Sequence, residues 1–172
     1  MEQLKVNSEI ECTNIRKLTS TSNDYESYVQ LYRENGSSFT YEQFTKCYNE
    51  VHNREESGVW ILERNNQIIG TATLILETKF IHNISRIAHI EDMFISKDYR
   101  HLGCGKILIE HLIEKADSLG CYKIICVCRD KIIPFYEKCG MNVRGAFMCK
   151  LLKEQPNYTT DINDALVRKS QV

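Results

Sequence analysis

Neither sign of charge dominates this chain: 22 Lys and Arg stand against 23 Asp and Glu. The broad basic face that nucleic acid demands is therefore not expected. No apolar run approaches the roughly 20 residues that span a bilayer. Met1-Glu2-Gln3-Leu4-Lys5 also lacks the apolar stretch of a secretory signal. These absences predict a cytoplasmic protein that binds neither membrane nor nucleic acid. Internal repeats and linker-like segments are missing as well, so 172 residues read as one domain with a sizeable core.

Cysteine is the exception to this scarcity, with eight copies. A chain of this size does not need disulfide staples, and Cys126, Cys128 and Cys139 fall inside expected elements, so reduced thiols are expected. Cys126-Val127-Cys128 on a strand would send its two sulfurs to opposite faces, which forbids a shared ion. No metal is expected.

Periodicity and breakers predict a strand at 14–18, then helices at 22–35 and 41–51, the second opened by Thr40 as N-cap. A hairpin follows, pairing 58–63 with 67–77 about Arg64-Asn65-Asn66, and 86–96 makes the next strand. The helix predicted over 103–119 buries Leu108, Leu112, Ala116 and Leu119 and stops at Gly120. Residues 122–128 are almost continuously apolar, the pattern of a central strand covered on both faces. Pro134 suits the first turn of a short helix reaching Lys138, and 143–152 would close the sheet. The remainder, 154–172, is polar and reads as a tail or a short helix at 161–168.

Between the 86–96 strand and the 103–119 helix lies Arg100-His101-Leu102-Gly103-Cys104-Gly105-Lys106. A glycine turn that opens a helix presents backbone N–H groups at the positive end of the helix dipole, a natural anion site. Gly103 and Gly105 allow close backbone approach, and Arg100 adds a fixed cation. The turn lacks the Gly, Lys and Ser/Thr spacing of a P-loop and the third glycine of a dinucleotide fingerprint.

Arg-x-x-Gly-x-Gly after a strand resembles the pyrophosphate loop of the GNAT N-acetyltransferases. Four further blocks, at 70–82, 89–92, 120–125 and 135–140, resemble in order and spacing the glucosamine-6-phosphate branch of that family over residues 15–151. Among them, Lys79-Phe80-Ile81-His82 and Ile90-Glu91-Asp92 are the more specific signals. The resemblance implies an α/β fold: a single GNAT domain over 1–153, with a mixed central β-sheet flanked by helices on both faces. It implies acetyl-CoA as co-substrate, an amino-sugar phosphate as acceptor, a place in UDP-N-acetylglucosamine biosynthesis, and a homodimer joined through C-terminal strands.

Site residues follow from the same resemblance. Residues 100–106 would hold the pyrophosphate, and the backbone of Met93, Phe94 and Ile95 would serve the pantetheine and the acetyl carbonyl. Tyr136 would donate a hydrogen bond to the leaving thiolate, as a phenol that stays protonated at neutral pH can. Glu91 and Asp92 would line the sugar pocket, although as strand neighbours they should face opposite ways and cannot form a dyad. Lys79, Phe80, Ile81, His82, Tyr122, Lys123 and Lys150 would meet the sugar phosphate, a dianion that wants several donors. His89 and His111 are expected to be structural. Two positions depart from the branch: Glu34 stands near its phosphate-contacting threonine, and Val127 replaces an acid that would orient the amine. The residues alone leave open a GNAT enzyme for another amine or a protein N-terminus, and a non-catalytic acetyl-CoA-binding regulator.

Overall fold

A computed structural model describes residues 13–53, 56–150 and 152. The expected polar tail at 154–172 lies outside them. Five strands form one mixed sheet in the order β1 (Thr13–Lys17), β2 (Gly58–Arg64), β3 (Gln67–Lys79), β4 (Ser85–Ile95), β5 (Cys121–Cys126). The first three pairings are antiparallel and β4–β5 is parallel. That parallel step is joined by a helical crossover, as parallel pairing requires. The β2–β3 hairpin turns on Asn65 and Asn66, with φ 51° and 60°. Two left-handed residues in a row make the turn whose twist matches the strands, and asparagine tolerates that geometry.

Helices cover both faces. On one side α1 (Ser22–Arg33) and α2 (Tyr41–His52) pack Tyr28, Leu31 and Phe44 against Val59, Ile61 and Ile68. Thr40 caps α2 as expected, in a reciprocal box with Gln43. Trp60, which alternates with Val59 and Ile61, faces the other way and meets His111 of α3 (Cys104–Ser118), ring centroids 4.8 Å apart. Leu108, Ile109 and Leu112 of α3 are fully buried, each contributing about 1.5–3 kcal/mol. Leu119, expected in that stripe, is only half-buried at the helix end.

Arg16 of β1 locks the outer corner. Its guanidinium forks onto Asp24 of α1 at 2.7 and 2.8 Å and onto Glu63 of β2 at 3.0 Å. Burial would lift the Asp24 carboxyl, but hydrogen bonds from Arg16 and Thr19 outweigh it and hold the carboxyl below its ordinary value.

The chain divides into two compact units at Cys126/Val127. The second holds α4 (Ile133–Glu137), with Pro134 in its first turn. It closes on Gly140 at φ 80°, where the N–H of Met141 donates to the Tyr136 carbonyl at 3.1 Å.

Two expectations about strands fail. The 122–128 strand is not central: β5 is the last strand in the order, and Tyr122 and Ile125 are 47 % and 37 % exposed. Its continuous apolar run reflects β-propensity, which does not by itself say what lies beside the strand. Residues 143–150 form no strand, and Phe147 and Met148 are exposed. An apolar run without a hydrogen-bonded neighbour does not make a strand.

Candidate active site

The β3–β4 ladder breaks where the sequence is most distinctive. Thr73 pairs with Glu91 and Thr71 with Phe94, so Asp92 and Met93 together oppose the single residue Ala72. Asp92 takes the extra turn at φ 49°. A bulge of this kind leaves a backbone residue outside the ladder and re-aims the strand. The expectation that Glu91 and Asp92 alternate cleanly across the sheet is thereby corrected, because a left-handed residue interrupts the period-two pattern. Both carboxylates are exposed. Below the bulge, the Phe94 ring stacks on Tyr32 at 6.3 Å. The Tyr32 hydroxyl accepts from Tyr28 at 3.3 Å, and Tyr28 in turn accepts from the buried Thr71 at 3.3 Å. Burial pushes both phenols above their ordinary value.

β4 runs on into the glycine turn. A 3-10 turn (Lys97–Tyr99) leads to Arg100, whose Nε–H donates to the Ile95 carbonyl at 3.0 Å while its guanidinium lies 5.3 Å from the Phe94 ring. Arg100 is thus anchored to the end of the bulged strand. His101 and Gly103 both adopt positive φ, 65° and 86°. Gly103 is the N-cap of α3, and no side chain caps the helix from that position. The first helical bond joins the N–H of Ile107 to the Gly103 carbonyl at 3.1 Å, so Cys104, Gly105 and Lys106 form the first turn, whose N–H groups point along the axis. Gly105 sits inside the helix, so only Gly103 uses glycine's left-handed freedom. Leu102 is half-buried, and Lys106 pairs with Glu110 one turn on, at 3.5 Å.

A second group of predicted residues gathers at the far end of β3 and β4. Directly paired residues share a sheet face, and Thr71, bonded to Tyr28, marks the face toward α1. Glu77, Lys79, His89, Glu91 and Lys123 follow by register on that face. The Glu77 carboxylate accepts from Lys79 Nζ and, at 3.0 Å, from His89 Nε2. These hydrogen bonds, the Lys79 one foremost, hold the Glu77 carboxyl below its usual value. The loop into β4 is left-handed at His82, Asn83 and Ile84. It sets the His82 ring 5.3 Å from Tyr122, whose ring also lies 5.3 Å from Lys123 Nζ. Phe80 and Ile81 are exposed on the same loop.

A bulged strand running into an anchored arginine and a glycine-capped helix is common to many folds, and sequence relationship decides between them. The model of the Acetyltransferase (GNAT) family matches residues 27–141. The chain belongs to the GNAT acetyltransferase family. The match crosses the Cys126/Val127 division and ends at Met141. Glucosamine 6-phosphate N-acetyltransferase 1 of Dictyostelium discoideum is 34% identical over 123 residues, 70% of this chain and 78% of that protein. Glucosamine 6-phosphate N-acetyltransferase of Schizosaccharomyces pombe is 41% identical over 86 residues, 50% and 78% of the two chains. The crystal structure of glucosamine-6-phosphate N-acetyltransferase from Arabidopsis thaliana superposes with a TM-score of 0.75 at 29% identity, covering 82% of this chain and 99% of that one. The GNAT fold and the resemblance read from the sequence are both borne out.

Three more residues singled out in this GNAT chain, Val127, Tyr136 and Lys150, lie in the second unit. Tyr136 is buried on α4, its ring 5.0 Å from Phe135. Val127 and Lys150 are exposed. Among the described residues, no group of three His, Cys, Asp or Glu could hold a metal ion. Sequence reasoning missed Glu77, and it set His89 aside as structural. The available signal was Glu77-x-Lys79 on one strand face, two residues apart, which places opposite charges side by side.

Proposed function

We propose that the protein transfers the acetyl group of acetyl-CoA to the amine of D-glucosamine 6-phosphate, giving N-acetyl-D-glucosamine 6-phosphate for UDP-N-acetylglucosamine synthesis. The observation that carries this reading is the single path from the Asp92 bulge through Arg100 to the Gly103 N-cap, in a chain related to enzymes of that name. A helix N-terminus with a nearby fixed cation suits a pyrophosphate. The stretch Arg100 to Lys106 takes that role, with Met93, Phe94 and Ile95 offering backbone donors to the pantetheine arm and the acetyl carbonyl. Acetyl transfer needs a neutral amine, a polarised carbonyl and a stabilised thiolate, and positioning supplies most of the rate.

Tyr136 serves the thiolate, its phenol donating as the C–S bond breaks. Glu91 and Asp92 orient the amine and the sugar hydroxyls. Val127 offers no side-chain acceptor, so the orienting role falls to Glu91 or to backbone carbonyls, and kcat/KM rises with pH along the substrate amine's own titration. Lys79, Phe80, Ile81, His82, Tyr122, Lys123 and Lys150 form the sugar-phosphate end, where lysines and a histidine supply the donors a dianion requires. The working unit is a single domain over 1–153. A cytoplasmic homodimer completes the proposal, supported by exposed Phe147 and Met148, which a second subunit would cover. Nuclear magnetic resonance of the product tests the reaction: a new acetamide on glucosamine 6-phosphate is expected, and acetylation of a hydroxyl or no product contradicts it.

A further inference from the structure

The acidic partner inside the cationic cluster invites the question of what it does there. A carboxylate beside a phosphate pocket would ordinarily repel the ligand. Here both Glu77 oxygens are occupied, one by Lys79 Nζ and one by His89 Nε2 at 3.0 Å. An ammonium carries three N–H donors, so Lys79 keeps two for a ligand while one is held by Glu77.

Register shows what this contact changes. Lys79 pairs with Ser85, six residues before Glu91 on β4. At a strand rise of about 3.3–3.4 Å per residue that separation is about 20 Å, too long for one hexose phosphate. His89 is two residues from Glu91, or about 7 Å. By folding Lys79 back onto the carboxylate that also holds His89, Glu77 moves the ammonium toward the bulge.

We propose that Glu77 is a positioning residue that sets the spacing between the phosphate-binding Lys79 and the amine-orienting Glu91, with His89 Nε2 holding its other carboxylate oxygen. This rests on the amino-sugar phosphate reading and extends it to two residues, Glu77 and His89, to which sequence reasoning assigned no part in binding. It also gives the site a preference for acceptors of one length between amine and anion.

The test compares Glu77→Ala and Glu77→Gln with the unaltered protein, measuring KM for glucosamine 6-phosphate, KM for acetyl-CoA, kcat and inhibition by glucose 6-phosphate. Glu77→Ala is expected to raise KM for the amino sugar and the inhibition constant for glucose 6-phosphate about tenfold each, the worth of one charge-assisted hydrogen bond. The acetyl-CoA KM stays unchanged, and kcat falls by less than about threefold. Glu77→Gln recovers most of the loss, since its amide oxygen still accepts from Lys79. Equal losses for both substrates, or unchanged constants in Glu77→Ala, overturn the role of Glu77. An unaltered protein that neither acetylates nor binds glucosamine 6-phosphate in calorimetry overturns the underlying reading itself.

Discussion

Glu34, at the end of α1, accepts a hydrogen bond from the backbone N–H of Lys97 at 2.8 Å. That contact ties the first helix to the turn leaving the bulged strand. It also explains a carboxylate where the related branch contacts phosphate: this one is occupied by a backbone donor. Glu34→Ala should lower the unfolding free energy by about 0.5–1.5 kcal/mol in denaturant titration. KM for the sugar phosphate should not fall; a marked fall would mean that the carboxylate faces and repels the ligand.

Acid should weaken the fold through two histidines. His52 Nε2 accepts from the N–H of Val59 at 3.1 Å, a bond that only neutral imidazole can make. Burial, and then the Lys17 charge, lowers its pKa, and burial lowers that of His111. A depressed histidine favours the folded state fully above the ordinary value near 6.5 and loses that contribution as pH falls through the folded value. Thermal melts should therefore show the melting temperature dropping from pH 7 toward pH 5. In His52→Gln, whose amide oxygen can accept from Val59, the drop should be shallower. An identical slope in the variant would remove His52 from the account.

Gly103 carries φ 86° at the N-cap of α3. A β-branched side chain there costs about 1–3 kcal/mol of strain and fills the approach to the first-turn N–H groups. Gly103→Val should raise KM for acetyl-CoA by about tenfold or more while the sugar-phosphate KM moves little. A folded variant with unchanged coenzyme affinity would show that the turn does not hold the coenzyme.

How far the sequence carried this reading depended on which interactions were local. Caps, the Asn65-Asn66 turn and the Gly103 helix start were legible because each is set by a few adjacent residues. The Asp92 bulge was not, since it exists only in the pairing of β4 with β3. Glu77 with His89 was missed for the same reason, being a contact across strands. Residues 122–128 and 143–152 misled because an apolar run does not say what lies beside it, and 143–150 carry no ladder bonds.

Tyr136 is buried, so its replacement needs a stability control. Tyr136→Phe keeps the ring and removes only the donor. It should lower kcat roughly a hundredfold with acetyl-CoA binding nearly intact, because the thiolate it serves develops only in the transition state. A loss under about threefold, at unchanged melting temperature, would assign Tyr136 to packing alone.

The central claim is tested most directly by release of free thiol from acetyl-CoA in the presence of four acceptors: glucosamine 6-phosphate, glucosamine, glucose 6-phosphate and spermidine. Glucosamine 6-phosphate should give the highest kcat/KM, glucosamine a much lower one for want of the phosphate, and glucose 6-phosphate none for want of the amine. Turnover of spermidine above glucosamine 6-phosphate, or no thiol release with any acceptor by a protein that binds acetyl-CoA, would contradict the account.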